Sequence, residues 1–304
     1  MSRTVTVGVD GSRESLAALD WAAEEALRRE LPLRLLRVWI KDSDPRTRLV
    51  DPVTAREWGE KALGAAENRL RRRHPELRTE AEWVTGDPVE ELCAAAEEAD
   101  LLVLGSRGLG TLTGFLAGSV SLAVLARTER PVVLVRPHAR PAAGEDDPAG
   151  EAVPAGEAVP AGDGEVVVGL DVSAPGDEVL AFAFAAADRY GCALRVLHTW
   201  AVPAVFGPDM GSALPVLMSE VAQDARRALD EALAPWAEKY PGLSVVSECH
   251  QGRPAQDLVD AARDARLVVV GRRNRRSRIG THIGAVTHAV IHHSPAPVAV
   301  VPHD

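Results

Sequence analysis

The chain is written twice. VTVGVDGS (residues 5–12) recurs as VVVGLDVS (166–173), and RLLRVW (34–39) recurs as RVLHTW (195–200) at the same offset. VTGDPVEEL (84–92) matches CHQGRPAQDL (249–258) in its Gly, Pro and Leu positions. DLLVLGSRG (100–108) matches ARLVVVGRRN (265–274), and GSVSLAVLARTERPVVLV (118–135) matches GAVTHAVIHHSPAPVAVV (284–301). The blocks keep their order, so this is a duplicated domain, and the fold must be one that a single copy can complete. The copies occupy 1–137 and 165–304. Between them, 138–164 repeats AGEAVP and is built of Pro, Ala, Gly and acid. Such a stretch buries too little to offset its ordering entropy and reads as a flexible linker.

Within each copy, short apolar runs alternate with helical patterns. In the first, the run at 5–9 is followed by SRESLAALDWAAEEALRRE, with Ser at the cap, apolar residues at 16, 19, 23 and 27, and basic residues in the last turn. LRLLRVW is a second strand, 54–73 a long amphipathic helix, and LRTEAEWV a third strand. PVEELCAAAEEA is a helix opening on Pro, LLVLG a fourth strand, VSLAVLART a helix and PVVLV the closing strand. This alternation predicts an α/β chain of two tandem Rossmann-like domains, each a five-stranded, mostly parallel sheet with helices on both faces. Ligands of such sheets bind beyond the carboxyl ends of the strands, where the strand order reverses.

Charge narrows the partners. A formal net charge of −10 argues against non-specific binding to nucleic acid or to anionic membranes, and no apolar run is long enough to span a bilayer. The N-terminus enters a strand at once, with no signal-peptide pattern. Cys93, Cys192 and Cys249 are far apart and odd in number, which fits small core residues in a reducing compartment, so a cytoplasmic location is expected.

Behind LLVLG stands GSRGLGTLTGFLAGS (105–119). Its glycines at 105, 108, 110 and 114 would let the backbone take positive φ and approach a ligand. Gly118 and Ser119 stand at a helix start, where free N–H groups and the helix dipole favour an anion. Ser119, Ser121 and Thr111 add hydroxyls, and the chemistry suggested is phosphate cradling. The loop is not a GxxxxGK[ST] phosphate loop, and its GxGxxxG is one residue off the dinucleotide fingerprint and follows the wrong strand.

The spacing Gly105-x2-Gly108-x9-Gly118-Ser119 resembles the nucleotide loop of the universal stress protein family, in its tandem two-domain form. The likeness extends to the strand-ending Asp of VGVDGS, the GDP turn, GSVS and the closing PVVLV. The resemblance implies an adenine nucleotide alpha hydrolase-like fold and, in loop-bearing members, ATP, at times with Mg2+ or Mn2+. It implies that Asp10 contacts ribose or adenine, that Gly8 and Val9 line the pocket, and that Val38 meets adenine through its backbone. Gly105, Arg107, Gly108, Gly118, Ser119, Val120 and Ser121 would surround ribose and phosphates. No carboxylate in the loop marks a metal site. Taken alone, DGS is equally a turn and helix-capping sequence.

The second copy departs. Asp171, Gly271, Gly284 and Thr287 keep their types, Thr199 stands at the Val38 position, Asn274 replaces the second loop glycine and Ala285 the serine. Losing that hydroxyl would remove about 1.5–3 kcal/mol if it met a charged phosphate. The loop also gains Arg272, Arg273, Arg275, Arg276 and Arg278. These either supply phosphate charge, meet an acidic partner or nucleic acid, or form a solvated loop; nucleic acid is least favoured, because no aromatics are interleaved. The first copy is therefore expected to bind ATP more tightly. His288 and His292 are spaced as HxxxH without the HExxH glutamate and read as a polar helix face. Trp39 and Trp200 mark the second strand of each copy as a core or pocket-wall feature.

The function these features imply is a nucleotide-binding regulatory protein of the stress response, with a protein partner that the sequence does not name. Two rivals remain: a nucleotide-independent interaction protein, and an ATPase at most slow, since no nucleophile–base pair has recognisable spacing. The resemblance further implies that PVVLV and APVAVV pair across a dimer axis, here within one chain as a pseudo-dimer, with homodimerisation as a further possibility.

Overall fold

The computed structural model describes residues 3–39, 52–106, 118–137, 164–201, 213–274 and 283–304. The first half runs β1 (Val5–Gly8), α1 (Arg13–Arg29), β2 (Leu33–Trp39), α2 (Pro52–Arg73), β3 (Thr79–Thr85), α3 (Pro88–Glu98), β4 (Leu101–Gly105), α4 (Ser119–Arg127) and β5 (Val132–Val135). The second repeats it: β6 (Val166–Gly169), α5 (Asp177–Tyr190), β7 (Leu194–Trp200), α6 (Ala213–Lys239), β8 (Val245–Gln251), α7 (Pro254–Ala261), β9 (Leu267–Arg273), α8 (Ala285–His293) and β10 (Val298–His303). Most of the expected linker lies outside the described residues.

All ten strands form one sheet in the order β3-β2-β1-β4-β5-β10-β9-β6-β7-β8. Pairing within each half is parallel throughout. The halves meet at a single antiparallel step, β5 against β10, in the register Val298↔Leu134, Ala299↔Val133 and Val300↔Val132. The two closing strands thus pair within one chain, and each covers the edge the other would expose.

Period-two alternation of side chains sorts the strand residues onto two faces. Val5, Val7, Leu33, Leu35, Leu101 and Val103 pack beneath α1 and α2, together with their counterparts beneath α5 and α6. Leu36, Leu102, Leu104, Val132 and Leu134 pack beneath α3 and α4, continuous with residues under α7 and α8. Each helix starts where its sequence allows. Ser12 caps α1, and Asp87 caps α3 by accepting from the Val89 and Glu90 amides, with Pro at the first position where no N–H is needed.

The helices also meet across the seam. Glu25 of α1, 1% exposed, accepts from Arg29 at 2.6 Å, from Arg189 of α5 at 3.2 Å and from the Tyr190 hydroxyl at 2.7 Å. Burial and the neighbouring Glu25 carboxylate push the Tyr190 phenol well above its ordinary value. Strand order reverses between β1 and β4, and again between β6 and β9. The carboxyl ends of these pairs are where a ligand crevice is expected.

Candidate functional site

At the first reversal, the Val9 amide donates to the Leu36 carbonyl at 2.9 Å and ends the β1 ladder. Asp10 follows. Its Oδ1 accepts from the Ser12 amide at 2.8 Å and the Ser12 hydroxyl at 2.5 Å, closing the turn through Gly11 (φ +86°) into α1. Burial pushes the Asp10 carboxyl up, but the hydroxyl and amide of Ser12, the Ser15 hydroxyl and the Arg37 charge outweigh it, and Asp10 titrates below its ordinary value. It is an anion at neutral pH, and both recorded bonds fall on Oδ1. The turn role of DGS thus uses Oδ1 among the described residues.

Beside it, β2 overruns β1. The Leu36 carbonyl faces β1 and the Trp39 carbonyl faces β3, where it accepts from the Gly86 amide at 2.9 Å. By alternation the Val38 peptide groups face the β1 side, past the last β1 residue. Arg37, which the sequence reading passed over, donates Nη1 to the Val9 carbonyl at 3.3 Å, and its guanidinium lies 5.8 Å from the Trp83 ring centre. Its counterpart His198 holds the Leu170 carbonyl at 2.9 Å. A basic residue at the same place in RLLRVW and RVLHTW was the available signal. Trp39 stacks on Trp83 at 5.9 Å as part of the wall.

On the other side of β1, β4 delivers Gly105. This glycine is not at positive φ, and neither is Gly118. The expectation of left-handed backbone at Gly105 is corrected, while Gly118 stands at the helix start expected of it. A Cβ on Gly105 would stand 2.6–2.8 Å from backbone atoms of Glu14 and Ser15, so the residue is small because α1 packs against the strand end. Gly118 differs. It precedes α4, and among the described residues no side chain caps the helix and a Cβ at 118 would meet only Ser121 Oγ at 3.9 Å. Among those residues no packing contact requires a glycine at 118, and the first amides of α4 have no capping side chain.

Ser121 is buried and donates its hydroxyl to the Gly105 carbonyl at 3.2 Å, and Thr287 repeats this bond to Gly271 at 2.8 Å. These hydroxyls tie helix to strand end, and their protons do not face outward as phosphate donors. Gly8, Val9, Asp10, Gly105, Gly118, Ser119, Val120 and Ser121 are thus gathered at one reversal, with Val38 on the adjacent strand end. Arg107 and Gly108, with Gly110, Thr111 and Gly114, lie outside the described residues.

The second reversal repeats the frame but fills it differently. Asp171 accepts from the Ser173 amide at 3.0 Å and hydroxyl at 2.6 Å, yet its Oδ2 is met by Arg273 at 3.0 Å. β9 and β10 run on together, pairing Pro302 with Arg272 and His303 with Arg273. The His303 ring stands over Gly271 and Gly176, where added Cβ atoms would approach it to 2.7 and 2.8 Å. Thr199 holds the place of Val38, and Gly284 begins α8 without a side-chain cap. Arg272 is buried, bonded to the Thr128 carbonyl at 2.5 Å. Of the five loop arginines, Arg272 is engaged inside the protein and Arg273, though exposed, is paired with Asp171; Arg275, Arg276 and Arg278 lie outside the described residues.

The histidine helix also departs from expectation. His292 is buried, with its Nε2 3.2 Å from that of His288, so it is not part of a polar face. Burial, then His288, Arg136 and His293, pull it below its ordinary value. Among the described residues no three potential metal ligands gather, and no helix is long and apolar enough to cross a membrane.

Comparison with known proteins matches the universal stress protein family model twice, over residues 1–136 and 164–302. The chain belongs to the universal stress protein family. A universal stress protein of Mycobacterium tuberculosis, Rv2005c, is 34% identical over 304 residues, covering 97% of this chain and 96% of the relative. One from Mycolicibacterium smegmatis is 31% identical over 307 residues, covering 98% and 96%. The crystal structure of a universal stress protein from Archaeoglobus fulgidus covers all of both chains at 18% identity with a TM-score of 0.63, a likeness of fold. Two universal stress repeats in one Rossmann-type α/β chain thus account for the duplication read from the sequence.

Proposed function

We propose that this universal stress protein binds ATP at the first reversal and acts as a regulatory nucleotide sensor of the stress response. The observation that carries the reading is the start of α4. Among the described residues its amides lack a capping side chain and no packing contact demands the glycine before it, and it stands beside the carboxyl ends of β1 and β4. Those amides suit phosphate, the ionised carboxylate of Asp10 suits a ribose hydroxyl, and the Val38 peptide groups suit an adenine edge. The described residues fit a nucleotide better than a protein-held cation, so Mg2+ or Mn2+ would enter on the phosphates. Arg107 and Gly108 would complete the phosphate wall.

One observation favours a different role for the second half: Arg273 already occupies the Asp171 oxygen that a ribose would need. That half is read as a nucleotide-poor partner, and the chain as one that signals through a bound protein without efficient turnover. The three free cysteines accord with a cytoplasmic setting, and association of two chains would use surfaces other than the β5–β10 seam.

Native mass spectrometry of the gently purified chain, with and without added ATP and magnesium, tests this. One adenine nucleotide per chain is expected, lost in Gly118→Val, a substitution with room for its side chain in the bare fold. Two per chain would make the second half competent, and none would leave the nucleotide-independent interaction protein.

A further inference from the structure

Arg272 stands where the first half has Ser106, directly after the glycine closing the fourth strand of its half. It is 5% exposed, and among the described residues no carboxylate bonds to it; Glu129 acts on it only through space. Its bonded acceptors are neutral, the Thr128 carbonyl at 2.5 Å and Asn274 Oδ1 at 3.1 Å. Burying a guanidinium without a paired charge is costly, so something must offset it. Thr128 is the C-cap of α4, and its carbonyl lies at the end of the helix dipole that attracts cations. The helix whose front faces the first-half crevice is thus held at its back by a residue of the second half.

Asn274, at the position of the lost loop glycine, braces this arginine. Its amide N–H donates to the His303 carbonyl at 2.7 Å while its Oδ1 receives Arg272. The reverse contact also exists: Arg136, just after β5, donates to the Ile291 carbonyl in the last turn of α8. Arg136 and Arg272 occupy non-equivalent places in the repeat, so duplication alone does not produce the pair.

We propose that Arg272, oriented by Asn274, is a positioning residue for the first-half nucleotide site. The residues that depart from the loop pattern in the second half hold α4 of the other half in place, and the first site's affinity depends on them. This rests on the nucleotide reading given above.

The test uses the full chain, with ATP–magnesium titrated calorimetrically and amide exchange followed over residues 124–128. Arg272→Met should weaken ATP binding about fivefold or more and Arg272→Lys, which restores charge and one donor, should return it to within about twofold of wild type. Exchange at the end of α4 should quicken in the Met variant alone, with far-UV circular dichroism unchanged. Should Arg272→Met fold poorly, Asn274→Ala keeps the charge, removes the brace together with a 3.5 Å contact to Asp304, and should show a smaller shift in the same direction. ATP bound as tightly by these variants as by wild type overturns the proposal. If wild type binds no ATP, the nucleotide reading fails by itself, and the exchange data still decide whether Arg272 holds α4; unchanged protection there rejects that too.

Discussion

In the first half, β4 stops at Gly105, and α4 starts at Ser119 with no side-chain cap among the described residues. In the second, β9 continues through Arg272 and Arg273 alongside Pro302 and His303, Arg273 reaches Asp171, and Arg272 is buried against the other half. The apolar frame beneath is the same in both: Val5, Val7, Leu101 and Val103 are fully buried, as are Val166, Val168 and Val269. A site beyond the ends of strands can therefore change while the sheet that carries it does not. The core sets the fold, and the residues past the strand ends are free to serve a ligand or the neighbouring half.

The largest effect should come from the seam that joins the halves. Glu25→Gln leaves Arg29 and Arg189 without their shared buried carboxylate, and a loss of about 3 kcal/mol is expected, since removing one member of a buried ion pair is strongly destabilising. Denaturant unfolding followed by circular dichroism reads it, and the halves should begin to unfold separately. A change under about 1 kcal/mol would mean the pair behaves like an exposed one.

The strand-end glycines sharpen the comparison. Gly105→Ala drives a methyl into the backbone of Glu14 and Ser15, and about 1–3 kcal/mol of overpacking is expected. Gly271→Ala meets the far end of the His303 side chain first, one residue from the last described position, and a side-chain tip shifts at less cost than backbone. Thermal melts of the two variants should rank Gly105→Ala as the more damaged. Equal melting temperatures would remove the distinction drawn between the two strand ends.

The smallest effect is a gain. Glu30, which ends α1, sits in the left-handed region at φ 55°, where the second half has Gly191 at φ 63°. Glu30→Gly relieves that strain and should stabilise by about 0.5–1 kcal/mol, partly offset by a more flexible unfolded chain. A loss on chemical denaturation would show that Glu30 makes contacts worth more than its strain.

Much of this was legible. The strands are short, apolar and bounded by turn residues, and the copies confirm each other position by position. Asp10 and Gly118 through Ser121 could be named because each lies where an element begins or ends, and such positions carry their own residue signals. The reason for Gly105 could not, because the atoms it avoids belong to Glu14 and Ser15, distant in sequence. Ser121 was credited with a ligand that its hydroxyl proton does not face, since a motif gives the residue and not its rotamer. Arg37 was missed because a basic residue on a strand reads as solvent-facing until its partner carbonyl is in place.

The sequence by itself determined that two α/β copies fold in tandem and the order of strands and helices in each. Those depend on periodicity, caps and turn chemistry within a few residues. Tertiary structure decided the register in which the copies join and which groups Arg272 and Arg273 meet. Arg272 finds its acceptor 144 residues away at the back of another helix. No local pattern marks a charge for burial, because whether burial is tolerable depends on which carbonyls the fold brings to meet it.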